Sequence, residues 1–346
     1  MTDVPLIRNI TVDNPNDGLE EALWWLKTTG ISNDSRNGRV LQAPAPVITT
    51  YKTPQHRVMF SGLRDANPFF HLYESVWMLA GRNDVESVAR YAKQMSAFSD
   101  DGQSLWGAYG WRWRSFFAFD QLKEIVTQLR QNSKTRRAVL SMWSPLDLKQ
   151  ADGKDVPCNT QVYFDATRGA LDMTVCNRSN DAVWGCFGAN VVHMSMLQEF
   201  VASAAGLPVG IYHQFSNNLH VYVDREDCRR LIRANGESWD VLYTAEDMYR
   251  THGIKPFPLF APDDDWQVWL EDAERVAEFP TAEHYGRSAF FKQVVAPLMM
   301  AHAEYKDGAY NRALNLISTC AAQDWRRAAH DWVQRRWLRS GERSNG

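Results

Sequence analysis

Apolar residues recur along this chain with distinct spacings, and each spacing predicts a kind of element. Residues 17 to 29, DGLEEALWWLKTT, put acidic side chains in a first turn and an apolar stripe at Leu19, Ala22, Leu23 and Leu26, which predicts an amphipathic helix. Residues 119 to 132 repeat that pattern, and a broad apolar face at Val192, Met194, Met196, Leu197, Phe200 and Val201 predicts a long packed helix over 191 to 205. Residues 68 to 81, PFFHLYESVWMLAG, are apolar nearly all the way round, so a buried helix is expected there with Glu74 in its middle; another helix is expected around 85 to 96. β-Branched and aromatic residues predict two short strands within 46 to 61 and a strand after Arg137. Strands are also expected through 162 to 175, with a turn at 167 to 169, and on both sides of a turn in LPVGIYHQFSNNLHVYVD. The segment ISNDSRNGRVLQAP is polar, with Asn-Gly turn chemistry, and carries Arg36 in a loop. Beyond residue 256 the composition shifts, and helices are expected near 266 to 278, 288 to 306 and 309 to 339, the last interrupted or bent.

Composition narrows the class. The 346 residues are 45% hydrophobic, enough for one large domain or one domain with an appendage. Five cysteines (Cys158, Cys176, Cys186, Cys228, Cys320) make an odd count with no CxxC pair, which points to neither a disulfide framework nor a zinc site and fits a reducing compartment. The N-terminus has no basic region followed by an apolar run, and no stretch is long and apolar enough for a membrane span, so a cytoplasmic protein is expected. A net charge of −3, from 38 basic and 41 acidic residues, gives no general attraction for nucleic acid, so an anion site must be built locally. The interleaved WRRAAHDWVQRRWLRS is read as an amphipathic helix packing its tryptophans, not as a nucleic-acid surface.

Candidate chemistry centres on PCN, where Cys158 follows a proline, and on the cluster Arg178, Ser179, Asn180 and Asp181 further on. A thiolate is the reactive form of cysteine and a nearby cation favours it; an intervening strand could return Arg178 to Cys158. Glu74, ionised in an apolar helix, must reach water, a partner or a ligand, and buried carboxylates of raised pKa often serve in proton transfer. Tyr109 sits between small residues in GAYG, where its hydroxyl could be reached. Arg136 and Arg137 precede a strand, an exposed corner that also suits bidentate phosphate binding. Arg36 by itself reads as a solvated charge. His220 and Tyr222, two apart on a strand, share a face. A Cys-His hydrolase would need His193 or His220 beside the thiol, but arginines are the wrong partners for an acyl-transfer base. There is no Walker loop, metal cluster or dinucleotide fingerprint.

Together these motifs resemble the thymidylate synthase and pyrimidine-nucleotide hydroxymethylase superfamily over about residues 20 to 225. SRNG at Arg36, ESVWMLAG at Glu74, AYGWRWRSF at Tyr109, TRR at Arg136 and Arg137, PCN at Cys158, NRSND at Arg178 to Asp181, Asn190, and NNLHVY at His220 and Tyr222 come in the family's order. The resemblance implies an α+β fold of the thymidylate synthase kind, a mixed sheet at a homodimer interface flanked by helices. With the composition shift past residue 256, a catalytic domain is expected over 1 to 255 and a helical C-terminal extension packed on it over 256 to 346. It implies a pyrimidine nucleoside monophosphate as substrate, 5,10-methylenetetrahydrofolate as one-carbon donor, and no metal. Cys158 would add to ring carbon 6 and so make carbon 5 nucleophilic. Arg36, Arg178 and Ser179 would hold the 5′-phosphate, joined by Arg136 and Arg137 from a second subunit. His220 and Tyr222 would hold the sugar hydroxyl, Tyr109 would assist loss of the carbon-5 proton, Asp181 would contact the folate, and Glu74 would organise the water used for proton transfer.

Departures from the methylating branch decide the expected product. The segment AKQMSAFSDDG offers only Phe98 where thymidylate synthases shield the intermediate with tryptophan, and the chain ends in the polar SGERSNG instead of a short apolar closure. Asn159 follows the nucleophile where methylating enzymes usually have histidine. All three favour a water-accessible intermediate, hence hydroxymethylation of dUMP, as in phages that make modified DNA. By the same resemblance Asn190 would be the base reader: an amide can donate to oxygen 4 of uracil and accept from its ring N–H, although the loop before it is one residue longer than the family's. A dCMP or CMP hydroxymethylase and a true thymidylate synthase are the alternatives.

Overall fold

A computed structural model describes residues 6–150, 152–237, 247–278 and 286–344. The chain forms two compact units. The first takes in residues up to 64, 121–149 and 157–247; the second takes in 65–120, 150–156 and everything from 248 onward. The final residues of the polar C-terminal end, 345–346, lie outside the described residues.

The described strands all belong to the first unit: β1 (Arg8–Val12), β2 (Ile31–Ser35), β3 (Gly38–Gln42), β4 (Val47–Tyr51), β5 (Val139–Ser141), β6 (Asn159–Asp165), β7 (Leu171–Asn177), β8 (Asn180–Asp181), β9 (Val209–Ser216) and β10 (Leu219–Tyr222). Six of them form a mixed sheet in the order β1-β4-β9-β7-β6-β5 and four a smaller one in the order β2-β3-β10-β8. In the large sheet β1 runs parallel to β4, β7 runs parallel to β9, and the other neighbours are antiparallel. Alternation sets one face inward, with Val47, Thr49 and Tyr51 of β4 and Leu171, Met173 and Val175 of β7 buried. Ala189–Ala205 packs on β7 and β9 and is buried on nearly every side, as its weak apolar asymmetry requires.

Two strands pass from one sheet to the other side by side. β7 becomes β8 across Arg178 and Ser179, and its parallel neighbour β9 becomes β10 across Asn217 and Asn218. Two backbone bonds lace the crossovers: Asn217 donates to the Asn177 carbonyl at 2.9 Å, and Asn180 to the Asn218 carbonyl at 2.8 Å.

The second unit is helical. Pro68–Leu79 starts with proline in its first turn, and the Asn67 side chain accepts from the Phe70 amide at 3.1 Å. Eleven of its residues are buried, among them Glu74, so the helix is wrapped from several sides by others of this unit, including Trp266–Glu278 and Gln323–Ser344. Tyr109–Arg114 meets the end of the same helix through Gly110, where a Cβ would stand 2.0 Å from the Met78 carbonyl oxygen. Only glycine permits that approach.

Several elements differ from those the sequence pattern predicts. Residues 46 to 61 hold one strand, β4; after it Pro54 lacks a ladder donor and Thr53 to His56 close a turn instead. The polar stretch around Arg36 is a hairpin, β2 and β3, with Arg36 and Asn37 at its tip. Its edge strand β2 is exposed throughout and so has no alternation to read. The helix expected over 85 to 96 ends at Ala89, Ala92 turns extended, and a 3₁₀ helix occupies Lys93–Phe98. The last expected helix is two, Tyr310–Ser318 and Gln323–Ser344. β1 and the helix Glu226–Glu237 have no counterpart among the predicted elements.

Candidate active site

Cys158 stands at the mouth of β6, half-buried, and the β6–β7 hairpin returns Arg178 to it. The Arg178 amide donates to the Cys158 carbonyl at 2.9 Å, and its Nε donates to the Pro157 carbonyl at 2.8 Å. These two bonds hold the guanidinium on the Pro157–Cys158 rim, with Nη2 3.8 Å from Cys158 Sγ and the Trp143 ring 5.8 Å from its Cζ. A guanidinium so placed favours a thiolate. Trp143 carries no signal in the sequence; it comes from the strand edge beyond β5.

Asn159 points inward. It is wholly buried, and the Asn177 amide nitrogen donates to its Oδ1 across the first rung of the β6–β7 ladder. The residue after Cys158 is therefore tied into the sheet by a neutral amide.

The small sheet gathers further candidates. Arg36 is exposed at the β2–β3 tip, Arg178 and Ser179 lead into β8, and His220 lies between Gln42 of β3 and Asp181 of β8 in the ladder. His220 and Tyr222 do share a face, their rings edge-to-face with centroids 5.3 Å apart. His220 Nδ1 is 3.0 Å from Asn218 Oδ1, and burial pushes its pKa down. Asp181 uses one oxygen to accept from the Trp184 amide at 2.6 Å, capping the next turn. Its other oxygen is buried with no hydrogen-bond partner among the described residues, and burial raises the carboxyl's pKa. Arg136 and Arg137 are exposed just before β5, and no acidic side chain among the described residues pairs with either.

The turn after Asp181 is a π-helix, Ala182–Cys186, closed by the Phe187 amide on the Ala182 carbonyl at 3.0 Å. Tyr51 fixes it from β4, its hydroxyl donating to the Cys186 carbonyl at 2.5 Å. Asn190 then opens the long helix, half-buried, its Nδ2 donating to Asn180 Oδ1 at 3.2 Å. Asn180 lies inside the NRSND motif, yet only its neighbours there carry a role legible in the sequence.

In the second unit, Glu74 is buried and its pKa is pushed up to about 8, first by burial and then by the charge of Asp155. At neutral pH it is mostly protonated, the state of a carboxyl that can give or take a proton near physiological pH. Asp155 is itself held by the Gly107 amide at 2.7 Å, two residues before Tyr109. Tyr109 is half-buried at the first turn of its helix, and Phe98 is 39% exposed. His193 is buried, and burial pushes its pKa down to about 3, so it stays neutral.

The thymidylate synthase family profile matches residues 28–237. The chain is 43% identical over 335 residues to the deoxyuridylate hydroxymethyltransferase of Pseudomonas phage M6, a match covering 94% of each chain. It is 38% identical over 218 residues to the deoxyuridylate hydroxymethyltransferase of Bacillus phage SP01, covering 58% of this chain and 57% of that one. Among solved structures, the thymidylate synthase from T4 phage superposes with a TM-score of 0.50 at 21% identity, over 62% of this chain and 79% of that one, a likeness of fold.

Proposed function

The chain belongs to the thymidylate synthase family, and we propose that it transfers a one-carbon unit to carbon 5 of dUMP, giving 5-hydroxymethyl-dUMP. The observation that carries this is the 43% identity to a phage deoxyuridylate hydroxymethyltransferase over 94% of both chains, which takes in most of residues 256–346 as well as the family region.

The Cys158 thiolate adds to carbon 6, and the electron pair of the 5,6 double bond moves toward carbon 5 and oxygen 4, where an Asn190 N–H stabilises the developing enolate. Arg36, Arg178 and Ser179 hold the 5′-phosphate; His220 and Tyr222 hold the sugar. Methylenetetrahydrofolate, the family's donor, would when bound supply the carbon at the oxidation level of formaldehyde, with tetrahydrofolate as its product. The residues fit it: the unpartnered buried oxygen of Asp181 suits a ring N–H, and exposed Phe98 offers an apolar surface. With that carbon attached, Tyr109 assists loss of the carbon-5 proton. Glu74 takes the proton of the water that adds to the exocyclic carbon, and expulsion of Cys158 restores the double bond.

Arg136 and Arg137 are assigned to the phosphate of a partner subunit's site, supported by their unpaired exposure and by a second face of the large sheet that bears Ile48, Phe215 and Tyr163. Residues 1–255 hold the chemistry in this reading, and the helices beyond 256 form the extension. Among the described residues no helix is long and apolar enough to cross a membrane.

The test is incubation with methylenetetrahydrofolate and each of dUMP, dCMP, UMP and CMP, followed by mass measurement of the product. A hydroxymethyl adduct of dUMP is expected. A methyl product with dihydrofolate release, or turnover of cytosine nucleotides alone, overturns the reading.

A further inference from the structure

We infer that Asn180 is a positioning residue for base selection: it holds the Asn190 amide in the orientation that reads uracil, and Ser216 holds Asn180 in turn. This rests on the assignment of Asn190 as the base reader.

The three side chains form a chain of hydrogen bonds. Asn190 Nδ2 donates to Asn180 Oδ1 at 3.2 Å, and Asn180 Nδ2 donates to Ser216 Oγ at 2.9 Å. Asn180 is 2% exposed and Ser216 fully buried, so water does not compete for either. Their placement comes from the paired crossovers: Ser216 ends β9, Asn180 begins β8, and the link ties one crossover to the other.

The site is also cut to shape around this chain. A Cβ on Gly185, within the π-turn, would stand 2.3 Å from Asn180 Oδ1 and 3.0 Å from Asn190 Nδ2. A side chain there would drive the amides apart, so the turn lays bare backbone against their hydrogen bond.

The consequence is a matter of donors and acceptors. Uracil offers an acceptor at oxygen 4 and a donor at N3; cytosine offers the reverse. An asparagine amide satisfies one or the other according to which way it is turned. With one Nδ2 hydrogen committed to Asn180, Asn190 presents its second N–H and its Oδ1 in a fixed order. Turning Asn190 alone would set two carbonyl oxygens about 3.2 Å apart. Relieving that repulsion would require Asn180 to turn, and then the Ser216 hydroxyl to donate where it now accepts. The orientation is therefore a joint property of three groups, and a single flip is penalised.

The test compares variants on dUMP and dCMP, measuring kcat/KM for dUMP and, for dCMP, either kcat/KM or its inhibition constant against dUMP. Asn180→Ala removes the acceptor and is expected to lower the preference for uracil by about tenfold, the worth of one such hydrogen bond. Asn180→Asp keeps the acceptor that Asn190 Nδ2 uses, so its preference stays at or above that of wild type at a pH high enough to ionise this buried carboxyl. Ser216→Ala, a one-atom change that leaves the fold least disturbed, gives a smaller loss in the same direction. A structural role would lower turnover of both nucleotides together; unchanged preference in Asn180→Ala, or in Ser216→Ala should the first not fold, overturns the inference. Wild type that binds dUMP but methylates it refutes only the hydroxymethylase reading. Wild type that prefers dCMP refutes the relay as well.

Discussion

Glu74→Gln removes one proton and almost no volume from the buried helix Pro68–Leu79, and so separates what the carboxyl does to stability from what it does to chemistry. Burial, then Asp155, raises its pKa from 4.5 to about 8. At about 1.4 kcal/mol per unit, the ionised form is disfavoured in the folded state by up to about 5 kcal/mol, and relaxation and water entry reduce this in practice to roughly half. The folded protein thus binds this proton more tightly than the unfolded chain does. The corresponding stability is complete below the unfolded pKa and is lost progressively as pH rises through the folded value near 8. Glutamine has no proton to lose. Urea unfolding at pH 5 and pH 9 should show wild type losing roughly 2–5 kcal/mol more than Glu74→Gln over that interval. If Glu74 is the base proposed above, its ionisation produces the group that accepts a proton from water, so kcat/KM for dUMP should rise with pH through an apparent pKa near 8 in wild type, and Glu74→Gln should lose that limb together with roughly 10²- to 10⁴-fold of its activity. Parallel stability curves for the two proteins would refute the perturbed carboxyl, and near-normal turnover by Glu74→Gln would refute its part in proton transfer.

Cys158→Ala should abolish product formation and also the release of tritium from carbon 5 of labelled dUMP; tritium release that survives removes the nucleophile assignment. Arg178→Gln loses the guanidinium 3.8 Å from Sγ, and should slow alkylation of Cys158 by iodoacetamide at pH 7 as well as raise KM for dUMP. Alkylation at the wild-type rate would show that the cation does not act on the thiol. Gly110→Ala forces a methyl group to within about 2.0 Å of the Met78 carbonyl, and should cost roughly 1–3 kcal/mol in chemical denaturation while disturbing Tyr109 beside it. Mixing Cys158→Ala with an Arg136→Ala, Arg137→Ala double variant should recover activity that neither has alone, because one site of each mixed dimer is then complete; no recovery would place these arginines outside a shared site.

The chemical inventory was set by the sequence. Cys158 after proline, the Arg178–Ser179–Asn180–Asp181 cluster, Glu74 in an apolar helix, and the His220–Tyr222 pair are local patterns, and periodicity finds the helices that carry or flank them. Elements with little periodicity escape it: β2 is polar after Ile31 and exposed on every residue, and the hairpin at Arg36 exists because β3 pairs with it. Burial of Glu74 is legible in its helix, but the size of its effect comes from helices far along the chain that close around it, and from Asp155, eighty-one positions away. Asn180 stands in a recognised motif with nothing to mark it. Its meaning lies in Ser216 and Asn190, which the paired crossovers of β7 and β9 bring together. Which residue types were present was decided by the chain alone. Which amide faces which partner, and at what pH a buried carboxyl ionises, was decided by long-range register and by burial from all sides, and both exist only in the folded molecule.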